Sequence, residues 1–283
     1  MRLYTFEGNG TERIGVEHDG RLVEIGGHRN GMRSFVGSGR RAIDAAVDAA
    51  VRSPAASRYS LDEVKILPPI RPGKILCSGI NYRSHLEENP NGILPARPFF
   101  FSKLPTAVIG PNESIVHPRL TQQLDYEVEL AVIIGSRMKG TPESEVMGSV
   151  AGYTILHDVS ARDVQFTDNQ LTLGKNFDTF APIGPCVVTA DEITDPGKLA
   201  LRTYLNGRLM QDGSTIDWVF PLPFLLSFLS QVMTLEPGDV VSTGTPAGVG
   251  LFRNPQVFMR PGDRVRLEIE GIGSLENSVI SEE

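Results

Sequence analysis

The sequence predicts a mainly β protein with α+β additions, in which a small α+β unit precedes a larger, strand-rich body. Most apolar segments are short, alternate with polar residues and end at Gly or Pro, which is typical of strands. Helical periodicity is confined to a few segments. A proline cluster at Pro68, Pro69 and Pro72 interrupts the chain between the two parts. We therefore expect one domain over residues 1–69 and a second over residues 70–283.

The composition excludes several classes of protein. The chain has 283 residues, of which 40% are hydrophobic and 22% charged, with a formal net charge of −7. An acidic chain of this kind lacks the electrostatic footprint of a nucleic-acid binder. Cys77 and Cys186 are too few for a disulfide scaffold or a cysteine-built zinc site. Because no apolar run resembles a signal peptide or spans a bilayer, we expect a cytoplasmic protein without membrane or nucleic-acid partners.

The predicted N-terminal domain combines short strands with one helix. Asp19 and Gly20 form a typical hairpin turn between two alternating segments. The next segment, "RRAIDAAVDAAVR", places Ile43, Val47 and Val51 at a spacing of four, which predicts an amphipathic helix. This combination indicates a small α+β unit.

The predicted second domain consists mainly of strands. Asn206 and Gly207 join two alternating segments and predict a tight hairpin. We expect one helix to begin at Thr141, a capping residue, and another over "PLPFLLSFLSQVM", where Phe224 and Phe228 are four residues apart. The remaining strand segments include "KILCSGI", "YEVELAVIIG", "AGYTILHD", "GPCVVTA", "GDVVSTG" and "DRVRLEIEGIG". They predict a curved or barrel-like sheet with a few covering helices.

Three acidic residues share one face of the segment "LDYEVELAVIIG". Because strand side chains alternate, Asp125, Glu127 and Glu129 point to the same side, about 7 Å apart. In a partly buried site, the repulsion between Glu127 and Glu129 would cost on the order of 2 kcal/mol at an effective dielectric constant near 20. Solvent exposure, a nearby Arg or Lys, or a divalent cation would each offset this cost. The pattern alone leaves these alternatives open.

A further acid, Asp158, strengthens the metal hypothesis. It ends the strand "AGYTILHD", and we expect a helix capped by Ser160 to follow. Carboxylate oxygens of Glu127, Glu129 and Asp158 would suit Mg²⁺ or Mn²⁺, with water completing the coordination. His157 points to the opposite face of the strand, so we interpret it as a packed core histidine.

Three other segments carry candidate catalytic or binding groups. His85 and Glu88 are three residues apart on one helical turn, where a carboxylate can orient an imidazole as a general base, although the pair alone is better explained by a solvated helix tip. Lys175 would stabilise an enolate or carboxylate, or form an ordinary surface ion pair. Thr245 lies in "STGTPAGVG", which lacks the phosphate-loop spacing but would offer a hydroxyl to a ligand carboxylate.

Five motifs in order resemble the fumarylacetoacetate hydrolase family. They are "GINYRSHLEEN", "DYEVELAVIIG", "HDVSARDVQ", "LGKNFDTFAPIGP" and "LEPGDVVSTGTPAGVG", and the resemblance extends from Lys74 to the end of the chain. The sequence is most similar to the small FAH-domain-containing, acylpyruvase-like branch. The resemblance implies a mixed β-sandwich roll, preceded by a variable N-terminal domain and assembled as a homodimer.

The resemblance also implies roles for individual residues. It assigns Glu127, Glu129 and Asp158 as ligands of Mg²⁺ or Mn²⁺; His85, Glu88 and Lys175 as catalytic groups; and Arg162, Gln165, Lys175 and Thr245 as substrate-binding groups. Asp125 is not among the ligands that can be transferred. A fourth acidic ligand, present in larger relatives, has no match, so water or substrate would fill that position.

A divalent cation beside these groups implies chemistry on 2-oxo acids. The main expectation is hydrolysis of a C–C bond in a 2,4-dioxo acid of the acylpyruvate or fumarylpyruvate type, with a water activated by His85 and Glu88 and a pyruvate enolate as leaving group. The alternatives are an oxaloacetate decarboxylase or tautomerase, a 5-carboxymethyl-2-hydroxymuconate isomerase-like enzyme, or another lyase of 2-oxo acid catabolism. A protein that binds 2-oxo acids without turnover is a further alternative, which a broken dyad or a missing ligand would favour.

Overall fold

The computed structural model describes residues 1–26, 31–167 and 170–283. The described helices are α1 Gly31–Val36, α2 Arg40–Arg52, α3 Arg83–Glu88, α4 Arg162–Gln165, α5 Thr172–Lys175 and α6 Leu222–Val232. The described strands are β1 Arg2–Gly8, β2 Thr11–His18, β3 Arg21–Glu24, β4 Arg58–Tyr59, β5 Lys65–Ile66, β6 Ile75–Ser78, β7 Phe100–Lys103, β8 Val108–Ile109, β9 Ile115–His117, β10 Leu124–Asp125, β11 Val128–Ile134, β12 Val150–His157, β13 Ser160–Ala161, β14 Ala181–Thr189, β15 Ala200–Leu205, β16 Arg208–Ser214, β17 Val240–Ser242, β18 Arg264–Ile269 and β19 Gly273–Ser281. The prediction of a mainly β protein is confirmed.

The strands form one large sheet and two smaller ones. The large sheet has the order β4-β3-β2-β1-β14-β12-β11-β17-β6-β7, with β5 paired to β1 and β8 to β14. A second sheet has the order β16-β15-β18-β19-β9, and β10 pairs with β13. The first strands extend the sheet of the body, because β1 pairs with β14. The domain boundary at residue 69 stays a prediction.

Both predicted hairpin turns are confirmed, and their backbone angles explain the residue types. Asp19 has φ 49° and Gly20 φ 73°, and Asn206 has φ 51° and Gly207 φ 80°. Two successive positive φ angles match the right-handed twist of the strands that such a turn joins. Asn, Asp and Gly adopt these angles at the lowest cost.

The helix predictions are partly correct. Helix α2 matches its predicted segment and buries Ile43 and Val47. Helix α6 also forms, but its buried face carries leucines such as Leu225, whereas Phe224 is 37% exposed. The α-helix predicted from Thr141 is wrong: the segment forms turns followed by a short 3-10 helix, Val146–Ser149, and the Thr141 amide donates to the hydroxyl of Ser230 on α6 at 2.9 Å. Among the described helices, none combines the length and apolar character needed to cross a bilayer.

Strand β11 lies in the middle of the large sheet and places the acidic residues. All residues of β11 are buried, because β12 and β17 flank it and both faces are covered. This explains the apolar run "AVIIG" after the acids. The strand therefore places Glu129, and Glu127 directly before it, in the protein interior.

Substitution of Gly152 tests how closely β12 and β14 pack. A Cβ atom at Gly152 would lie 2.3 Å from the Val188 carbonyl oxygen, whereas at Gly148 it would meet nothing within 4 Å. We expect Gly152→Ala to lower the free energy of unfolding by about 1–3 kcal/mol, because the backbone of β14 must shift. The control Gly148→Ala should change it by less than about 1 kcal/mol. Urea denaturation followed by circular dichroism measures both, and equal stability of the two variants would contradict the close packing.

Candidate active site

A cavity of about 240 Å³ brings together the predicted site residues. Apolar side chains such as Phe101 and Phe252 form part of its wall. The predicted residues that line it are His85, Glu127, Glu129, Asp158, Arg162, Gln165, Lys175 and Thr245. Glu88 is hydrogen-bonded to His85. Five motifs that are far apart in the chain therefore meet at one site.

The pairing of β11 with β12 brings the acids together. Val128 opposes His157 in this antiparallel pair, and the amide of Asp158 donates to the carbonyl of Glu127 at 3.0 Å. Glu127 and Asp158 are therefore neighbours across the strand pair. Glu129 follows Glu127 on the same face, since side chains alternate along a strand.

Two cations neutralise Glu127. Its oxygens accept hydrogen bonds from Arg162 Nη2 at 2.6 Å and Lys175 Nζ at 2.7 Å. Burial alone would raise the pKa of Glu127, but the charges of Arg162 and Lys175 outweigh it and hold the pKa well below its usual range. Glu127 is therefore ionised inside the protein.

Asp158 lies between two buried lysines. Lys103 Nζ donates to one carboxylate oxygen at 2.5 Å and Lys175 Nζ to the other at 2.7 Å. Burial acts to lower the pKa of Lys175, but Asp158 and Glu127 raise it above its usual value. The Lys175 ammonium also lies 5.0 Å from the centre of the Phe101 ring. Lys175 is therefore a charged group that bridges two predicted metal ligands.

Asp125 has a role that its position in the sequence did not reveal. It is fully buried and accepts hydrogen bonds from Arg162 Nε at 2.8 Å and from the amides of Gly250 at 2.7 Å and Leu251 at 3.0 Å. Asp125 thus orients Arg162 toward Glu127. Ion pairing with Arg162, one of the alternatives that the sequence left open, therefore explains how Asp125 and Glu127 are stabilised inside the protein.

Glu129 differs from the other acids because its partner in the described structure is the neutral hydroxyl of Ser242. Burial and the negative charges of Asp158 and Glu127 raise the pKa of Glu129 well above its usual value. Burial and the charges of Asp158 and Glu129, which lie close to the sulfur, also raise the pKa of the Cys77 thiol. The thiol is therefore neutral.

A divalent cation fits this set of donors. The described site contains four buried carboxylates, Asp125, Glu127, Glu129 and Asp158, but three buried cations, Lys103, Arg162 and Lys175. The group without a cationic partner is Glu129, and once ionised its hard oxygen donors would suit Mg²⁺ or Mn²⁺, whose charge would favour that ionised form. A cation there would remove the repulsion between the carboxylates.

His85 and Glu88 form the predicted pair on α3. His85 Nδ1 lies 2.7 Å from Glu88 Oε1, and the amide of Gly248 donates to Glu88 Oε2 at 2.7 Å. The side chains of His85 and Glu88 are only 14% and 16% exposed, which argues against a solvated helix tip. Asp217 accepts a hydrogen bond from the amide of Ser84 at 2.8 Å and so caps the helix. The imidazole is therefore held in one orientation at the cavity wall.

Gln165 and Thr245 line the cavity in different ways. Gln165 Oε1 accepts a hydrogen bond from Arg162 Nη1 at 3.1 Å. The hydroxyl of Thr245 donates to the Val128 carbonyl at 2.9 Å and accepts from Gln211 Nε2 at 2.8 Å. The hydrogen of the Thr245 hydroxyl is therefore used in the bond to Val128, at the start of β11, and is not directed at a ligand. The substrate-binding roles of both residues stay predictions.

The residues around Asp158 show one correct and one wrong local prediction. His157 is fully buried, and burial lowers its pKa to about 3, as suits a neutral core histidine. Ser160 does not cap a helix: it lies in β13, and its hydroxyl donates to the Asp158 carbonyl at 3.0 Å. The helix starts later, at Arg162.

Sequence reasoning missed Lys103, although a signal was present. Lys103 is 1% exposed and also donates to the carbonyls of Val159 at 3.1 Å and Lys175 at 2.7 Å. In the segment "FFFSKLP", alternation places Lys103 on the same face as Phe101. A lysine at an inward position of an apolar strand indicates a buried partner.

Comparison with known families identifies the larger part of the chain. The family model described as "Fumarylacetoacetate (FAA) hydrolase C-terminal" matches residues 74–280. The chain is 40% identical over 291 residues to a mitochondrial oxaloacetate tautomerase of Xenopus laevis, covering 99% of this chain and 90% of that protein. It is 46% identical over 221 residues to a mitochondrial oxaloacetate tautomerase of Homo sapiens, covering 77% and 70%.

Solved structures share the whole fold. A fumarylacetoacetate hydrolase from Exiguobacterium antarcticum is 36% identical with a TM-score of 0.88, and both chains are covered completely. A maleylpyruvate hydrolase from Sphingobium sp. SYK-6, solved with manganese(II) and pyruvate, is 30% identical with a TM-score of 0.83, again with 100% coverage of both chains. A 5-carboxymethyl-2-hydroxymuconate delta-isomerase from Mycobacterium smegmatis is 34% identical with a TM-score of 0.81 and the same coverage.

The expectation of a cytoplasmic protein is contradicted by these relatives. The Xenopus laevis and Homo sapiens proteins are both mitochondrial. The expectation rested on the lack of an apolar run near the first residue. Mitochondrial targeting depends on amphipathic, arginine-rich segments rather than on apolar runs, so that observation could not separate the two locations.

Lys103 provides a test of the buried charge network. We expect Lys103→Met to lower the free energy of unfolding by about 3–5 kcal/mol, because it leaves the buried Asp158 with one cation fewer. Lys65→Met is the matched control: Lys65 pairs with Glu113, and because the two side chains are 55% and 30% exposed, its loss should cost at most about 1 kcal/mol. Urea denaturation of both variants measures the difference. A Lys103 variant as stable as the control would contradict this network.

Proposed function

The chain belongs to the fumarylacetoacetate hydrolase family, and on that premise we propose that it is an oxaloacetate tautomerase, which interconverts the enol and keto forms of this four-carbon 2-oxo acid. Its relatives at 40% and 46% identity carry that activity in their names. These relatives support the tautomerase alternative better than the C–C hydrolysis that was the main expectation from sequence. Both reactions, tautomerisation and C–C hydrolysis, act on oxo acids, as the enzymes of this family do.

The size of the cavity is the observation that carries this proposal. A volume of about 240 Å³ lies below the roughly 300–1,000 Å³ that is usual for sites of drug-sized ligands. Such a space suits a small oxo acid such as oxaloacetate better than a longer dioxo acid such as fumarylpyruvate. The charged lining formed by Arg162 and Lys175 supplies partners for its carboxylates.

Glu127, Glu129 and Asp158 would bind Mg²⁺ or Mn²⁺ at this site. When bound, such a cation acts as a Lewis acid toward the 2-oxo group. Glu129, which has no cationic partner in the described structure, is the feature of this chain that would favour such a cation. The maleylpyruvate hydrolase neighbour was solved with manganese(II) and pyruvate, which supports the same class of cation here.

His85 is the group that we assign to proton transfer. Its Nδ1 is engaged with Glu88, which leaves Nε2 for substrate. In the direction from keto to enol, His85 removes a proton from the carbon between the two carbonyl groups, and the proton is returned at the 2-oxo oxygen. Substrate and product are isomers, so no atom is gained or lost. The Glu88 carboxylate stabilises the imidazolium during the transfer.

Lys175 supports the negative charge that develops on the oxygen. An ammonium group has three N–H donors, and Glu127 and Asp158 accept two of those of Lys175. The third donor is available to the substrate oxygen. Because the ammonium is already fixed by its partners, it needs little reorganisation during the reaction.

Hydrolysis of an acylpyruvate-type dioxo acid is the second candidate. The dyad of His85 and Glu88 would equally activate a water, and apolar side chains such as Phe99, Phe166 and Leu171 would accommodate a longer substituent.

The homodimer that the resemblance implies also stays a proposal.

Parallel assays with three substrates test the proposed function. We expect the protein with Mg²⁺ or Mn²⁺ to accelerate loss of the enol absorbance of oxaloacetate, and to lose this activity when the cation is chelated. Acetylpyruvate and fumarylpyruvate should be cleaved much more slowly. Release of pyruvate from oxaloacetate, measured separately, distinguishes decarboxylation. Efficient cleavage of a dioxo acid without tautomerisation would overturn the proposal in favour of the second candidate.

Substitution of His85 tests the assignment of the base. We expect His85→Gln to lower kcat by roughly 10²–10⁴-fold, because the proton acceptor is lost, while the affinity for Mn²⁺ stays unchanged. His18→Gln is the control, since His18 is 49% exposed and outside the cavity. Steady-state kinetics and Mn²⁺ titration measure the two effects. Unchanged turnover of the His85 variant would exclude it as the base.

A further inference from the structure

Cys77 lies on the same side of the large sheet as the predicted cation ligands. β6 pairs with β17 so that Cys77 faces Ser242, and Ser242 donates a hydrogen bond to Glu129. One ligand atom each from Cys77, Glu129 and Asp158 lies within 4.8 Å of the others, and all three residues are buried. In the part of the chain that the structure describes, no other group of three metal-ligating side chains meets this distance.

The charge distribution places the cation on the side of Cys77. Arg162 and Lys175 already balance the charge of Glu127, although each of its oxygens keeps a lone pair that a cation could use. The carboxylate without a cationic partner in the described structure is that of Glu129, whose close neighbours include Cys77 and Asp158. A divalent cation attracted to Glu129 therefore comes within reach of the sulfur.

We propose that Cys77 is a conditional fourth ligand of this centre, engaged by Zn²⁺ or Cd²⁺ but not by Mg²⁺ or Mn²⁺. The inference rests on the proposed function, since it concerns the same cation centre. Thiolates select soft or borderline cations, whereas hard cations prefer carboxylate and water oxygens. In a tetrahedral zinc site, neighbouring sulfur and oxygen ligands are roughly 3.6 Å apart. Side-chain shifts of about 1 Å would bring these three residues into that geometry.

Binding of a thiophilic cation breaks the S–H bond of Cys77 heterolytically. The sulfur keeps the electron pair and donates it to the metal, and the proton passes to the solvent. No group is oxidised or reduced, so no further reactant is required. Coordination by a metal is sufficient to deprotonate a thiol.

The choice of cation has a functional consequence. Zn²⁺ that is coordinated by sulfur and by carboxylates of Glu127, Glu129 and Asp158 has a full tetrahedral shell, as in structural zinc sites. Mg²⁺ and Mn²⁺ are octahedral, so three carboxylates leave positions for a 2-oxo acid. Thiophilic cations therefore occupy the centre and exclude the substrate.

Metal titration of the full-length, metal-free protein tests this inference. Cd²⁺ and Mn²⁺ are titrated separately by calorimetry, and the ultraviolet charge-transfer absorption of a Cd²⁺–thiolate bond is recorded. We expect Cys77→Ser to lose this absorption and to lower Cd²⁺ affinity at least about tenfold, with unchanged Mn²⁺ affinity. Cys186→Ser is the matched control, because Cys186 is also buried but lies in β14, and it should behave like the unmodified protein.

The outcomes separate this inference from the proposed function. Unchanged Mn²⁺ binding by Cys77→Ser shows that the variant is folded. If Cd²⁺ affinity and the thiolate absorption persisted in that variant, or if Mn²⁺ and Cd²⁺ affinities fell equally, the inference would be overturned. If the unmodified protein bound Mn²⁺ but gave no thiolate absorption with Cd²⁺, the inference would fail and the proposed function would stand. If Mn²⁺ did not bind at all, the proposed function would fail.

Discussion

Four carboxylates buried beside the paired strands β11 and β12 impose the constraint on which the site depends. Charges are tolerated inside a protein only where counter-charges and hydrogen bonds replace the lost water. Arg162, Lys175 and Lys103 provide these partners, and each comes from a different segment of the chain. The segments that carry them must therefore converge on the strand pair. Their convergence creates the cavity.

The same constraint supports the proton transfer that we propose for the site. The paired charges are fixed by several bonds each, so they are oriented before a substrate arrives. They still leave one carboxyl group, that of Glu129, without a cationic partner in the described structure. A small, highly charged cation is the simplest complement to that group in its ionised form. The imidazole of His85 lies at the wall of the same cavity, where the proposed proton transfer requires it.

Local patterns in the sequence predicted much of the site, because alternation places Glu127 and Glu129 on one face and the end of the next strand presents Asp158. What they could not predict was pairing between distant segments. The sequence shows no partner for Lys103, and only the fold places it beside Asp158. The segment after Thr141 likewise contacts α6 through Ser230 and forms turns and a short 3-10 helix instead of the expected α-helix. The motifs also belong to the whole family, so they do not encode the choice between its reactions.

The hydrogen bond from Gly248 to Glu88 has a consequence for biosynthesis. Glu88 is made early, but its partner follows β17, the strand that joins β11 to β6 in the large sheet. A nascent chain that stops before this point carries every carboxylate of the cavity but lacks the amide that fixes Glu88. Completion of the site is thus tied to completion of the domain, since domains generally fold as units. The carboxylates of the cavity and the group that fixes Glu88 are united only after synthesis has passed β17.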